Sequence, residues 1–265
     1  MADDRREYET HWQMNPVTRG IFDEAIAAAI AARGDAPLDV VLDVGCGRQS
    51  NIVFPGTRWT VGTDVDAEGL TENRWIDVAV ETNIVEVDLP ERSVDAVACI
   101  YVLEHVEKPD VVLAKMARAL RPGGVMVVAF PNVAMPKAKV TRWTPLWFHA
   151  FVYQRLLGRN DPNTGLPFET VLDGAIRPDR VERLAEVCGL DVVYRRDFED
   201  NKQRQLRERF HLVGGLWSLA RSVFRVLSFN RLDPADSDVV FAFHRRDGGA
   251  TGELADALAA APTQP

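Results

Sequence analysis

The sequence predicts an α/β fold, a doubly wound and mostly parallel seven-stranded sheet carrying helical insertions. Three observations lead there. Short continuous apolar runs, the pattern of strands buried on both faces, alternate with segments of helical periodicity. The first run closes on an acid and a glycine turn, VVLDVGCG over 40–47. The second closes on another acid, Asp64, about 20 residues further on.

The elements follow in order. Residues 8–33 read as helical, with an Ala-rich second half (EAIAAAIAAR) ended by Gly34 and Pro37. Val40–Val44 is the first buried strand and Trp59–Thr63 the second, with a short third over Val78–Val80. Asp95–Ile100 and Val125–Phe130 continue the set, and between them PDVVLAKMARALRPGG reads as a helix opened by Pro109 and stopped by paired glycines. After Asn132 the rhythm breaks, because Ala134–Pro167 is rich in Trp, Phe and His and punctuated by Pro and Gly. A helix at Arg177–Cys188 and a strand at Leu190–Arg195 resume the alternation. Lys202–Phe229 reads as a further helical insertion, broken at Gly214–Gly215, before a last strand at Ser237–His244.

The expected organisation is therefore an N-terminal helical cap over 1–36 and a core made of 37–133 and 177–246. Substrate-side insertions occupy 134–176 and 199–236, and a flexible tail occupies 247–265. No internal repeat is visible.

Composition excludes several classes. The net charge of −8 argues against a protein that lives on phosphate backbones, which need clustered Lys and Arg. Cys46, Cys99 and Cys188 form no CxxC pair, so neither a disulfide framework nor a structural zinc site is expected, and a reducing cytoplasm is the expected location. The stretch MADDRREYETHWQ lacks the apolar centre of a signal peptide, and no apolar run reaches a bilayer-spanning length.

In an open α/β sheet, ligands sit beyond the carboxyl ends of the strands, which is where Gly45 and Gly47 fall. Missing side chains let a ligand approach the backbone, and Asp64 is placed to accept from a ribose diol. An adenosine-containing cofactor fits, and both a dinucleotide and S-adenosylmethionine qualify. The dinucleotide turn G-x-G-x-x-G wants a third glycine where Ser50 stands. Only about a dozen residues separate Gly47 from the next strand, so the first crossover helix must be very short and offers little dipole to a pyrophosphate. S-adenosylmethionine carries no phosphate and makes no such demand. Asp43 can face its cationic side, or simply cap the turn.

LDVGCG, VGTDVD, LPERSVDAVACIYVLEHVEKPD and ARALRPGGVMVVAFPN, in that order, resemble the class I S-adenosylmethionine-dependent methyltransferases. The likeness is nearest to the small-molecule branch that includes ubiquinone and menaquinone biosynthesis enzymes. It implies a Rossmann-like methyltransferase fold over roughly Val40–Asn132, with weaker echoes at AEVCGLDVV and in the final strand. Carried over, it puts Asp43, Gly45 and Gly47, with Cys46 among them, at the methionine end of the cofactor. Asp64, with Val65, goes to the ribose. Asn83 and Ile84 go to the adenine, with Asp77 ranked second, and Ile100, Tyr101 and Val102 approach the transferred methyl. Glu104-His105 resembles a pair that holds a divalent metal in some relatives, but Tyr101 stands where a third, acidic ligand belongs, so no metal is expected.

His105 is then a candidate general base or part of a helix start, and His149 in TPLWFHAF is a second candidate base or a packed histidine. Trp143, Trp147, Phe148, Phe151 and Tyr153 either wall an apolar pocket or form the core of their insertion. The resemblance also implies that Tyr8, His11 and Trp12 belong to a helix that closes over the cofactor. The mixed Arg, Leu, Phe and Trp of 202–229 suits a membrane surface, a lipid-linked substrate, a homodimer or a lid contact. The expected activity is methyl transfer to a small hydroxylated metabolite, glycan or lipid-linked intermediate, with nucleic acid excluded as a partner. A nicotinamide-dependent oxidoreductase and a non-catalytic methyltransferase-like partner protein are the alternatives.

Overall fold

The computed structural model describes residues 16–133, 135, 176–229 and 233–246. Its sheet contains β1 (Val40–Val44), β2 (Trp59–Asp64), β3 (Val78–Glu81), β4 (Val94–Ile100), β5 (Leu120–Pro131), β6 (Leu190–Phe198) and β7 (Asp238–Arg245). The order is β3-β2-β1-β4-β5-β7-β6. β1 to β5 pair in parallel, while β7 lies antiparallel between β5 and β6. The chain runs outward from β1 through β2 to β3 and then returns to β4 on the other side of β1. That reversal opens a crevice at the carboxyl ends of β1 and β4.

The helices are α1 (Pro16–Arg33), α2 (Ala67–Glu72), α3 (Pro109–Ala119), α4 (Pro178–Val187), α5 (Asn201–Arg209) and α6 (Gly214–Leu227). Alternation along each strand makes two cores. On one face Val97, Met126, Val128, Phe241 and Phe243 pack against Val112 and Met116 of α3 and Val181 and Ala185 of α4. On the other, Ala96, Ala98, Ala129 and Ala242 present a shallow surface to Phe22, Ala25, Ile26 and Ala29 of α1. Small residues on both partners let α1 lie close to the sheet, so the Ala-rich sequence serves packing as well as propensity.

Several expectations change. No helix of any length stands between β1 and β2: residues 45–58 are turns and extended chain. β5 begins at Leu120 instead of Val125, since the RPGG segment enters the sheet irregularly, with Val94 paired to Leu120 and a register shift before Ala96 pairs with Val125. α2, which six residues are too few to announce by periodicity, is capped by the Asp66 carboxylate accepting from Gly69 N. The 202–229 segment is two helices parted at 210–213, and Gly214, at φ +55°, starts α6 instead of breaking it. Residues 1–15, 136–175 and 247–265 lie outside the described residues, and with them the N-terminal and C-terminal expectations and the aromatic insertion.

Candidate active site at the carboxyl edge of the sheet

The turn after β1 is built from backbone that only glycine adopts without strain. Gly45 and Gly47 have φ of +65° and +52°. Gly45 N and Cys46 N both donate to Thr63 O, at 2.7 and 3.2 Å, tying the turn to β2. A Cβ on Gly45 would overlap Cγ2 of Val102, so the end of β4 packs straight onto the turn. A Cβ on Gly47 would meet only Asp64 Oδ2, at 3.9 Å, so this glycine keeps an open side.

Two acids flank the turn. Asp64 accepts from Gly47 N at 2.8 Å through Oδ2 and from Asp66 N at 2.9 Å through Oδ1. Asp43 is buried, and its Oδ2 has no hydrogen-bond partner. Burial pushes its carboxyl up to about 7; a hydrogen bond with Ser50 works against the rise and the charge of Asp64 adds to it. A buried acceptor without a donor is costly unless a ligand supplies one. The position suits a cation such as an ammonium. Phosphate does not suit it, because the acids repel it and no helix N-terminus follows the turn. Arg48, the cation nearest in sequence, is turned outward onto Glu72 and Glu68.

Sequence reasoning missed Asn73. Its amide donates to Gly47 O at 3.1 Å and to Cys46 O at 3.4 Å, and its Oδ1 accepts from Trp75 N at 2.9 Å. An asparagine closing α2 gave no local signal of a contact with a turn 26 residues away.

The other candidates are placed as follows. Cys46 is buried beneath the turn, and burial pushes its thiol far above the usual range. Val65 is exposed beyond Asp64. Asn83 follows β3 on the same edge, its Oδ1 accepting from Val85 N at 3.0 Å and its amide donating to Glu86 at 3.2 Å, and Ile84 beside it is buried. Asp77 sits at the opposite edge, before β3, where its carboxylate accepts from Thr60 N at 2.7 Å. That separation removes it from the crevice. Ile100, the last residue of β4, is buried in the core under α1.

Tyr101 has φ +60°, a strained conformation for a residue with a side chain. Its hydroxyl donates to Asp238 Oδ2 at 3.0 Å, and burial, followed by the charge of Asp238, raises its ionisation well above normal. Leu103–His105 forms a 3-10 turn in which Glu104 is buried and His105 is partly exposed, with Nε2 3.8 Å from Glu104 Oε1. His149, Trp143, Trp147, Phe148, Phe151 and Tyr153 lie outside the described residues, as do Tyr8, His11 and Trp12.

Residues 42–128 match the methyltransferase domain family. A protein of Mycolicibacterium smegmatis designated an S-adenosylmethionine-dependent methyltransferase is 33% identical over 97 residues, 35% of this chain and 38% of that protein. The ubiquinone biosynthesis O-methyltransferase of Agrobacterium fabrum is 27% identical over 173 residues, 58% of this chain and 60% of that one. The chain thus spans about two-fifths to three-fifths of the length of these relatives. Among solved structures, a Listeria monocytogenes protein assigned as an S-adenosylmethionine-dependent methyltransferase shares the fold, with a TM-score of 0.54 at 11% identity over 87% of this chain and 99% of that one.

Proposed function

We propose that this chain is a class I S-adenosylmethionine-dependent methyltransferase, a reading supported by the family match over 42–128, and that it binds S-adenosylmethionine at the β1–β2 edge and methylates a small-molecule acceptor. The observation that carries the reading is the turn itself. Two left-handed glycines stand between Asp43, with its orphaned oxygen, and Asp64, and no helix follows. Asp43 would receive the ammonium side, Gly47 would give clearance, and Asp64 would accept from the ribose hydroxyls. Asn83 and Ile84 would border the adenine, and Tyr101 and Val102 the reacting end.

S-adenosylmethionine supplies an electrophilic methyl group bound to a sulfonium sulfur. The chain's own share is to hold an acceptor in line and to take up its proton. A hydroxyl oxygen of a metabolite, glycan or lipid-linked intermediate is the acceptor favoured here. His105 is the described residue suited to receive a hydroxyl proton at a ring nitrogen, and its Nε2 lies 3.8 Å from Glu104 Oε1. His149 is the second candidate base.

Thermal shift separates the readings. S-adenosylhomocysteine should raise the melting temperature and NAD should not, and Asp64→Ala should weaken S-adenosylhomocysteine binding by roughly tenfold, the worth of one or two charge-assisted hydrogen bonds. A shift with NAD alone would instead favour an oxidoreductase. No shift with either would favour a non-catalytic partner protein.

A further inference from the structure

The turn after β1 does without a helix of its own. In a crossover that entered a helix directly, the carbonyls of Cys46 and Gly47 would accept from amides four residues further on. Residues 45–58 contain no helix, so those carbonyls need a donor from elsewhere. Asn73, at the C-terminal end of α2, provides one. Its amide nitrogen lies 3.1 Å from Gly47 O, 3.4 Å from Cys46 O and 3.5 Å from Ser50 Oγ.

The amide is itself held in one orientation. Asn73 Oδ1 accepts from Trp75 N at 2.9 Å, which leaves Nδ2 facing the turn. The Asn73 backbone N–H is bound to Gly69 O and Leu70 O, and the residue is buried. An amide nitrogen can only donate, so Ser50 Oγ accepts from it and the hydroxyl proton is left for Asp43. Gly47 is gripped through both of its backbone groups, the N–H by Asp64 Oδ2 at 2.8 Å and the carbonyl by Asn73.

We infer that Asn73 is a positioning residue for the bound cofactor, acting through Gly47 and Ser50. It stands in for the absent crossover helix by fixing the Gly47 backbone. It also turns the Ser50 hydroxyl onto Asp43, so that this carboxyl meets a cationic ligand as the anion. The inference rests on the S-adenosylmethionine reading for the identity of that ligand.

The surroundings of Asp43 single out this route. Asp64, at the end of β2, opposes the Asp43 charge. Cys46 in the turn and Cys99 on β4 are thiols that burial keeps neutral, and the buried side chains of α1 include no ionisable group. Arg48 is turned outward onto Glu68 and Glu72. Ser50 is the group that works in favour of the Asp43 carboxylate, and Asn73 aims it.

Two readouts test the inference, one of them without ligand. In the ligand-free full chain, the Asp43 carboxyl is followed by carbon-13 NMR, its signal assigned by its loss in Asp43→Asn. Asn73→Ala and Ser50→Ala should each move the titration midpoint up from about 7 by about one pH unit, the effect of losing a hydrogen bond to the charged form. Combining them should add no further shift, because both act at one hydroxyl. Asn73→Ser removes the amide donor but keeps a side-chain acceptor for Trp75 N, and should give the same shift should Asn73→Ala lose its cooperative melt.

Titration calorimetry with S-adenosylhomocysteine is the second readout. The affinity lost on Asn73→Ala should be about fivefold greater at about pH 7 than at about pH 8.5, where Asp43 is largely ionised in every variant. At the higher pH, Ser50→Ala should match the parent and Asn73→Ala should stay about threefold weaker, the effect of the loosened Gly47 backbone. An Asp43 midpoint that keeps the parent value in the Asn73 variants overturns the proposal. So does a calorimetric loss equal at every pH, which would make Asn73 a structural brace alone. A midpoint shift beside a parent that fails to bind S-adenosylhomocysteine would sink the S-adenosylmethionine reading and leave the coupling of Asn73 to Asp43 standing.

Discussion

Asp43 couples the turn to pH. With its carboxyl raised by burial to about 7 from an ordinary 3.8, the folded chain keeps a proton that the unfolded chain releases. Its stability contribution is therefore full below about pH 4 and is lost as pH climbs towards 7, by up to ~4 kcal/mol on an order-of-magnitude conversion. Asp43→Asn should flatten that part of the stability profile, read from urea melts across the range. A cationic ligand reverses the preference, since it favours the carboxylate. S-adenosylhomocysteine affinity should rise with pH and level off above about 7, whereas Asp43→Asn should bind weakly and without that slope in titration calorimetry. At Gly45 the constraint is steric. Gly45→Ala incurs both the left-handed φ and the overlap with Val102, about 2–4 kcal/mol together. Adding Val102→Ala should recover only the overlap, leaving ~1 kcal/mol of backbone strain measurable in a double-mutant cycle. The placement of Asp43, Gly45, Gly47 and Asp64 at the ends of β1 and β2 was legible because it depends on close spacing to an apolar run. Asn73 was not, because its contacts with Cys46 and Gly47 arise only once α2 has folded back onto the turn.

Among the elements, β4 does two jobs at its two ends. Beyond its carboxyl end Val102 packs against Gly45, while Asp95 at its amino end holds the sheet to α1. Asp95 accepts from Arg33 at 2.8 Å, Arg121 at 2.7 Å, Val40 N at 2.9 Å and Asp39 N at 3.0 Å, and both Asp95 and Arg33 are buried. Burial alone would raise the Asp95 carboxyl, but the Val40 amide and the two guanidinium groups outweigh it and hold it below the ordinary value. Asp95→Ala would strand the Arg33 charge and the amides of Asp39 and Val40, and should cost about 3–5 kcal/mol in chemical denaturation. The crevice lies at the other end of the strand, so S-adenosylhomocysteine affinity should stay within about twofold of the parent under native conditions. The strands were readable because each is a short apolar run buried on both faces. The β1–β2 connection and the start of β5 were not, because Gly and Pro mark a change of direction without saying whether helix, loop or irregular strand follows. In 202–229 the helical pattern was plain, but the break lies at 210–213, where chain between two helices with different anchors has no periodic signature.

For the molecule as a whole, strand order is the information that sequence pattern withholds. A doubly buried run has no visible direction, so SDVVFAFH announced a strand but not that it lies antiparallel between β5 and β6. That placement makes the strand late in the chain a keystone. Phe241 and Phe243 stack on each other within the core shared with α3 and α4, and the buried Arg245 guanidinium donates to Ala117 O, Arg118 O and Leu120 O at the end of α3. Asp238, at its other end, holds the Tyr101 hydroxyl. β6 has β7 as its sheet neighbour, and the insertion carrying α6 hangs between the two strands. Val240 lies mid-strand, level with Ala129 on one side and Arg196 on the other. Val240→Pro removes a ladder donor from this central position and forces the ring against a paired strand. The expected result is loss of the cooperative melt and of the S-adenosylhomocysteine shift together, because the crevice and both cores meet at β7. A variant that still melted cooperatively and still answered S-adenosylhomocysteine would show that β1 to β5 form a self-sufficient unit, with β6, β7 and α6 as an appended module.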